Sequence, residues 1–273
     1  MKFSQTLNLN LPTILIFDSG VGGLSIYRKV KKLLPNLNYI YAFDNAAFPY
    51  GKKSSEFIIN RIVQYINQIE KKHKLSLVII ACNTASTVSL PILRNNFQYP
   101  IIGVVPAIKT ARKLTRNGII GLLATEATIN GNYIKELIKK FAIDCKVIKI
   151  ASPELVELAE QKFYGQVILK KELIRIVKPL LKLKESPDTI VLGCTHFPLL
   201  LTEFKKIFLD NINFVDSGFA IAKRVVHLIN NDKNFFITKN KSIAYCTKID
   251  IKTKKFITIM KNEGFNKLEK ITN

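Results

Sequence analysis

Short runs of apolar, β-branched residues recur along this chain, separated by longer segments with helical spacing. The runs ILIF (14–17), YIYAF (39–43), LVIIA (77–81), IIGVV (101–105), IIGLL (119–123), KVIKI (146–150), TIVL (189–192) and INFV (212–215) are candidate strands. Between them, residues 54–72 place Phe57, Ile58, Ile62, Tyr65, Ile66 and Ile69 at intervals of three and four, the stripe of a helix packed on one side. Nearly continuous apolar strands alternating with helices predict parallel sheets covered on both faces, an α/β fold.

The pattern repeats weakly. Strand 14–17 leads into Asp18–Ser19–Gly20, and a later strand, 77–81, leads into Cys82–Asn83–Thr84. Strand 119–123 leads into Ala124–Thr125, and a later one, 189–192, into Cys194–Thr195–His196. Ligands of open α/β sheets bind beyond the carboxyl ends of the strands, so two such halves facing each other would gather all four loops around one cleft.

Composition narrows the picture. With 273 residues, 48 % hydrophobic and 23 % charged, the chain suits a soluble protein of one large domain or two smaller ones. No apolar run approaches the roughly 18 residues of a membrane span, and MKFSQTLNLNLPT has no secretion-signal pattern. A cytoplasmic location and free thiols at Cys82, Cys145, Cys194 and Cys246 are the expectations. Lys plus Arg outnumber acidic residues 42 to 20, a net +22 that brings polyanions into consideration. The lysines are dispersed over polar helix faces, without a zinc-finger or RRM-like signature. Solvated faces are therefore preferred over a dedicated site, and nucleic acid is disfavoured as a partner although the net charge does not exclude it.

Candidate chemistry centres on the cysteines. A buried free Cys is often a core filler, but Cys82 and Cys194 end apolar strands and precede polar groups that a dry core disfavours. Cys145, in AIDCKV, reads instead as the core cysteine, and Cys246, in AYCTK, as an ordinary strand residue. There is no C-x-x-C, and His73, His196 and His227 lack ligand spacing, so no metal is expected. His73 lies in a lysine run and reads as exposed, and His227 falls in a helical stretch. His196 lies two residues after Cys194, on the same side of an extended segment, where it could modulate that thiol.

The remaining loops favour a small anion. In FDSGVGGLSI, Gly20, Gly22 and Gly23 allow a tight turn and present amides at a helix start. The spacing matches neither dinucleotide fingerprint nor Walker A loop, so a nucleotide is not indicated. FPYGKKS (48–54) offers a phenol and backbone amides. Two thiols flanking one anionic substrate could invert a carbon acid, one taking a proton from one face while the other donates to the opposite face. A thiol pKa of about 8.5 can be brought towards working pH by nearby charges or dipoles.

In DSGVGGLSI, FPYGKKS, ACNTAS, GVVPAIK, GLLATEAT, GCTHFPLL and DSGFAIA, in that order, the sequence resembles the cofactor-independent glutamate racemases of the aspartate/glutamate racemase superfamily. The resemblance covers the chain from about Ile14 onwards and is looser over 244–273. It implies two pseudo-symmetric α/β lobes, residues 1–106 with 216–273 and residues 107–215, with glutamate between them. Carried over by position, it makes Cys82 the base for D-glutamate and Cys194 the base for L-glutamate. Asp18 would assist Cys82, and Glu160 with His196 would assist Cys194. Asp18, Ser19, Tyr50, Gly51, Asn83, Thr84, Thr195 and His196 would hold the substrate, with Thr125 and Thr128 as further contacts. No PLP or other cofactor is implied, and the D-glutamate made would feed peptidoglycan synthesis. The stretch ahead of the first strand is long, which in some members accompanies activation by a cell-wall precursor. The sequence leaves that activation open, along with a homodimer.

Three other readings are distinguishable. Aspartate racemase is the nearest, sharing the cysteine pair. A Cys194 nucleophile with His196 would do acyl transfer or hydrolysis and leave Cys82 dispensable. A basic nucleic-acid binder would show steeply salt-dependent affinity indifferent to the cysteines.

Overall fold

The computed structural model describes residues 12–208, 211–230 and 242–271. From the N-terminal side come β1 (Thr13–Asp18), α1 (Leu24–Leu33), β2 (Asn38–Phe43), α2 (Ser55–Glu70), β3 (Leu77–Ile80), α3 (Asn83–Asn96) and β4 (Ile101–Gly103). Then follow α4 (Ile108–Leu114), β5 (Ile119–Ala124), α5 (Glu126–Asn130), α6 (Asn132–Phe141), β6 (Lys146–Ala151), α7 (Pro153–Phe163) and α8 (Lys170–Leu181). The rest is β7 (Thr189–Leu192), α9 (Leu201–Lys205), β8 (Asn213–Val215), α10 (Gly218–Asn230), β9 (Ile243–Cys246), α11 (Ile251–Asn262) and β10 (Lys267–Lys270). Short 3-10 turns occupy Tyr50–Lys52 and Phe197–Leu200.

The strands form two all-parallel sheets, ordered β10-β9-β2-β1-β3-β4 and β6-β5-β7-β8. Each is covered on both faces, as the continuous apolar runs predicted. Ile14 and Ile16 enter one cluster with Tyr27 of α1 and Val225 of α10, while Leu15 and Phe17 enter the opposite one with Ile62 and Tyr65 of α2. That alternation follows the two-residue period of a strand.

The weak repeat in the sequence has a geometric counterpart. Ala81 N donates to Phe17 O at 2.7 Å, and Gly193 N donates to Leu123 O at 2.7 Å. Asp44 N donates to Asp18 O at 3.0 Å, and Ser152 N donates to Ala124 O at 3.1 Å. The order β2-β1-β3-β4 thus matches β6-β5-β7-β8, and Cys82 and Cys194 emerge at equivalent strand ends.

Three expectations, for Phe57, Cys145 and His73, need correction. Phe57 is 39 % exposed, outside the apolar face of α2, with the Arg61 guanidinium lying 5.4 Å from its ring centroid. Cys145 is only partly buried, because β6 is an edge strand and Asp144 beside it faces out to pair with Arg112. Cys246 is the strand residue expected, ending β9, and it is fully buried because β9 lies between β2 and β10. His73 is half-buried and shares a hydrogen bond of 2.8 Å with Tyr245 Oη. His227 is exposed on α10. Strand β10, KLEK, has no apolar run to announce it and pairs with β9 at the sheet edge. The expected N-terminal extension lies outside the described residues, apart from its last position or two.

Candidate active site

Both sheets point their carboxyl ends at one cavity of about 60 Å³. Ser19, Tyr50, Gly51, Cys82 and Thr84 line it from the first sheet's loops, and Thr125, Cys194 and His196 from the second's. Pro49, Lys52, Glu126, Pro153 and Val156 complete the wall. Two thiols from separate strand ends therefore open onto one space, 7 % and 6 % exposed.

Local sequence explains each thiol's placement. Cys82 is the N-cap residue of α3, in extended conformation, so it precedes the free amides of a helix fourteen residues long. Ser19, one residue beyond the adjacent β1, turns its hydroxyl to Cys82 Sγ at 3.8 Å. Cys194 leads instead into the 3-10 turn Phe197–Leu200, with Phe197 N bonded back to Cys194 O. That turn folds His196 over the thiol, placing Nδ1 3.8 Å from Cys194 Sγ. The other ring nitrogen, Nε2, is 2.9 Å from Glu160 Oε1 of α7.

Behind the cavity wall, hydrogen bonds join the two lobes. Thr195 Oγ1 donates to Asp18 Oδ2 at 3.1 Å, and Asp18 Oδ1 accepts from Gly20 N at 2.8 Å. Val21 N donates to Glu160 Oε1 at 3.0 Å, and Ser25 Oγ donates to Thr195 O at 2.9 Å. On the substrate side, Thr84 Oγ1 and Thr125 Oγ1 are 3.0 Å apart, and Thr125 Oγ1 bonds Thr128 Oγ1 at 3.0 Å. The glycine turn makes this closeness feasible. A Cβ on Gly22 would lie 2.7 Å from Thr195 Oγ1, and one on Gly20 would lie 2.5 Å from Glu160 Oε1.

Of the sequence-derived set, Ser19, Tyr50, Gly51, Cys82, Thr84, Thr125, Cys194 and His196 reach the cavity. Asp18, Glu160, Thr128 and Thr195 stand behind them through the bonds just described, and Asn83 is buried at the first position of α3. Tyr50 is oriented differently from the phenol-to-substrate arrangement FPYGKKS evoked: its hydroxyl donates to Asp44 Oδ2 at 2.8 Å. Asp44 and its partner Arg61 were not singled out by the sequence, nor was Lys52 as a cavity cation. The only hint of the first pair is an acidic residue one position beyond a buried strand, in FDN.

The electrostatics differ from side to side. Burial pushes the Cys82 thiol well up, the Asp18 carboxylate adds to the rise, and the Ala85 amide and Ser19 hydroxyl oppose it. Burial also raises Asp18, against the pull of His196 and of the bonds from Gly20 and Thr195. At His196 burial favours the neutral ring, but bonding to Cys194 and Glu160 outweighs it and lifts the imidazole well above 6.5. Cys82 is thus held as a thiol beside a carboxylate, while Cys194 faces a proton-bearing imidazole. Among the described residues, no cluster of three or more His, Cys, Asp or Glu side chains has metal-binding geometry.

The family model for Asp/Glu/Hydantoin racemase matches residues 14–225. The chain belongs to that family. The glutamate racemase of Photorhabdus laumondii is 56 % identical over 260 residues, which cover 95 % of this chain and 91 % of the relative. The crystal structure of Escherichia coli glutamate racemase with L-glutamate and the activator UDP-MurNAc-Ala is 47 % identical. It superposes with a TM-score of 0.91, covering 96 % of this chain and 98 % of its own. Francisella tularensis glutamate racemase with D-glutamate superposes at 0.80 with 27 % identity, covering 97 % and 98 % of the two chains. The family's two-lobed α/β fold is the one described above.

Proposed function

We propose that this chain interconverts L- and D-glutamate by two-thiol proton transfer at Cα. The observation that carries the mechanism is that Cys82 and Cys194 open onto one cavity from opposite sheets. Identity of 56 % and 55 % to glutamate racemases favours glutamate over aspartate as substrate.

With L-glutamate bound, the Cys194 thiolate takes the Cα proton and the electron pair of the broken C–H bond passes to Cα and its carboxylate. The Cys82 thiol then donates its proton to the opposite face, leaving Cys82 as thiolate and Cys194 as thiol. D-glutamate reverses each assignment. His196, backed by Glu160, stabilises the Cys194 thiolate, and Asp18 with Ser19 manages the proton of Cys82. Amides at the start of α3 and around Gly51, with the hydroxyls of Thr84 and Thr125, supply carboxylate and amino contacts; Asn83, Thr128 and Thr195 support them from behind the wall.

The lobes we assign are 1–106 with 216–273, and 107–215, a division supported by sheet membership. Four free cysteines, two of them in the chemistry, support action in the cytoplasm. No helix among the described residues is long and apolar enough to cross a membrane. The product would supply peptidoglycan synthesis, and a UDP-linked precursor like that bound by the E. coli enzyme would activate this chain too.

Incubation with L-glutamate in deuterium oxide tests the reading. Formation of D-glutamate carrying deuterium at Cα is expected; absence of both exchange and inversion would overturn it. Repeating the assay with UDP-MurNAc-Ala tests activation, and with L-aspartate tests the rival substrate.

A further inference from the structure

We propose that Asp44 and Arg61 are positioning residues for the racemisation: they fix Tyr50 so that the turn at Tyr50–Gly51 keeps its place against Cys82. The inference rests on the proposed reaction. It starts from the buried Asp44 carboxylate, which is fully enclosed one residue beyond β2. Four donors from three segments saturate it. Tyr50 Oη reaches Oδ2 at 2.8 Å, and Thr247 Oγ1, from the loop after β9, reaches Oδ1 at 2.7 Å. Arg61 of α2 clamps both oxygens, Nη2 to Oδ1 at 2.7 Å and Nε to Oδ2.

Arg61 is in turn fixed by its own surroundings. Its Nη2 also donates to Tyr65 Oη, and its guanidinium lies over the rings of Phe57 and Tyr65, 5.4 and 5.0 Å from their centroids. The partly exposed Phe57 ring thus covers one side of the guanidinium. A second set of bonds ties the loop after β9 to the same corner: Thr247 N and Lys248 N both donate to Asn45 Oδ1, at 3.1 and 3.0 Å.

An ion pair with Asp44 fully buried and Arg61 partly so is a poor way to gain stability, because taking the charges out of water costs about what their attraction returns. Its value here is geometric. The Tyr50 ring is 1 % exposed and packs in the cluster that contains Cys82. With its hydroxyl committed to Asp44, it cannot swing into the cavity, and it anchors the turn Tyr50–Lys52 whose Gly51 faces Thr125 across the cleft. The phenol therefore acts through the backbone it holds, not by touching glutamate. Substrate affinity and alignment should both depend on Asp44 and Arg61, which lie outside the cavity lining, and on a Tyr50 hydroxyl turned away from it.

Steady-state racemisation of L- and D-glutamate by Tyr50→Phe, Arg61→Met and Arg61→Lys, each checked by thermal melting, tests this. Tyr50→Phe keeps the ring and is expected to raise KM for both enantiomers about tenfold, the scale of one hydrogen bond to a charged group. Arg61→Met should raise KM at least as far, and Arg61→Lys, which keeps one charged donor, should recover part of the loss. Variants that melt lower but retain wild-type KM and kcat well below their melting temperature would show a merely structural network and overturn the proposal. Wild-type protein inactive in the same assay would instead overturn the racemase reading.

Discussion

The two thiol loops occupy equivalent strand ends and yet are built differently. Cys82 caps a fourteen-residue helix and has a hydroxyl and a carboxylate for neighbours, Ser19 and Asp18. Cys194 precedes a single 3-10 turn and faces His196, itself backed by Glu160. One carboxylate serves each side, but Asp18 acts beside its thiol and Glu160 acts through an imidazole. Mirror-image substrates thus meet mirror-placed sulfurs in unlike surroundings. The lesson is that inversion at one carbon needs symmetric placement of two acid–base groups, while the tuning of each can follow a separate route.

The strongest break of that comparison is removal of either sulfur. Cys82→Ser and Cys194→Ser should each reduce racemisation by about 10²–10⁴-fold, the span of general acid–base contributions. Chiral chromatography of the product checks it, and a near-normal rate for either variant would end the two-base mechanism. His196→Asn comes next and tests asymmetry. Enantiomers have equal free energy in water, so kcat/KM must fall equally in both directions. The difference appears in kcat and in the Cα-deuterium isotope effect, larger for L-glutamate, whose proton goes to Cys194. A drop of about tenfold to a hundredfold is expected, and an identical effect on both kcat values would count against His196 serving one thiol.

Glu160→Gln sharpens the same point through pH. Glu160 helps to lift the His196 imidazole well above 6.5, so its loss should move the alkaline limb of activity to lower pH. Stability follows the same sign. A ring whose proton affinity rises on folding stabilises the native state below its unfolded value, and that contribution fades as pH climbs through the higher folded value. Glu160→Gln should flatten this alkaline decline in a melting series; an unchanged profile would show that the carboxylate does not govern the ring. The smallest effect is expected at Cys145→Ala, a partly buried position outside the cavity. Racemisation should be unaltered and stability within about 0.5 kcal/mol of wild type.

Much of this was readable in the chain itself. The apolar runs ending abruptly at Cys82 and Cys194 marked strand ends facing a polar space, because a dry core does not accept Asn83, Thr84, Thr195 and His196 in succession. Glu160 was legible only by resemblance: it lies on α7, and nothing local to PELVELAEQKF says that this one acid among three meets a histidine from another segment. Asp44 and Arg61 were hidden for the same reason, each ordinary in its own turn or helix and informative only as a pair. Cys145 misses its expected place in the core because burial is decided by strand order, edge against interior, which local spacing does not encode.

Strand β9, supplied by the last tenth or so of the sequence, is inserted between β2 and β10 and brings Thr247 to Asp44. A nascent chain can therefore assemble the β5–β8 sheet while β2 still presents a bare edge. A message cut short before β9 would yield a protein with both sulfurs, an unfinished corner around Tyr50 and an adhesive flank. Completion of synthesis is built into the pocket as a structural requirement.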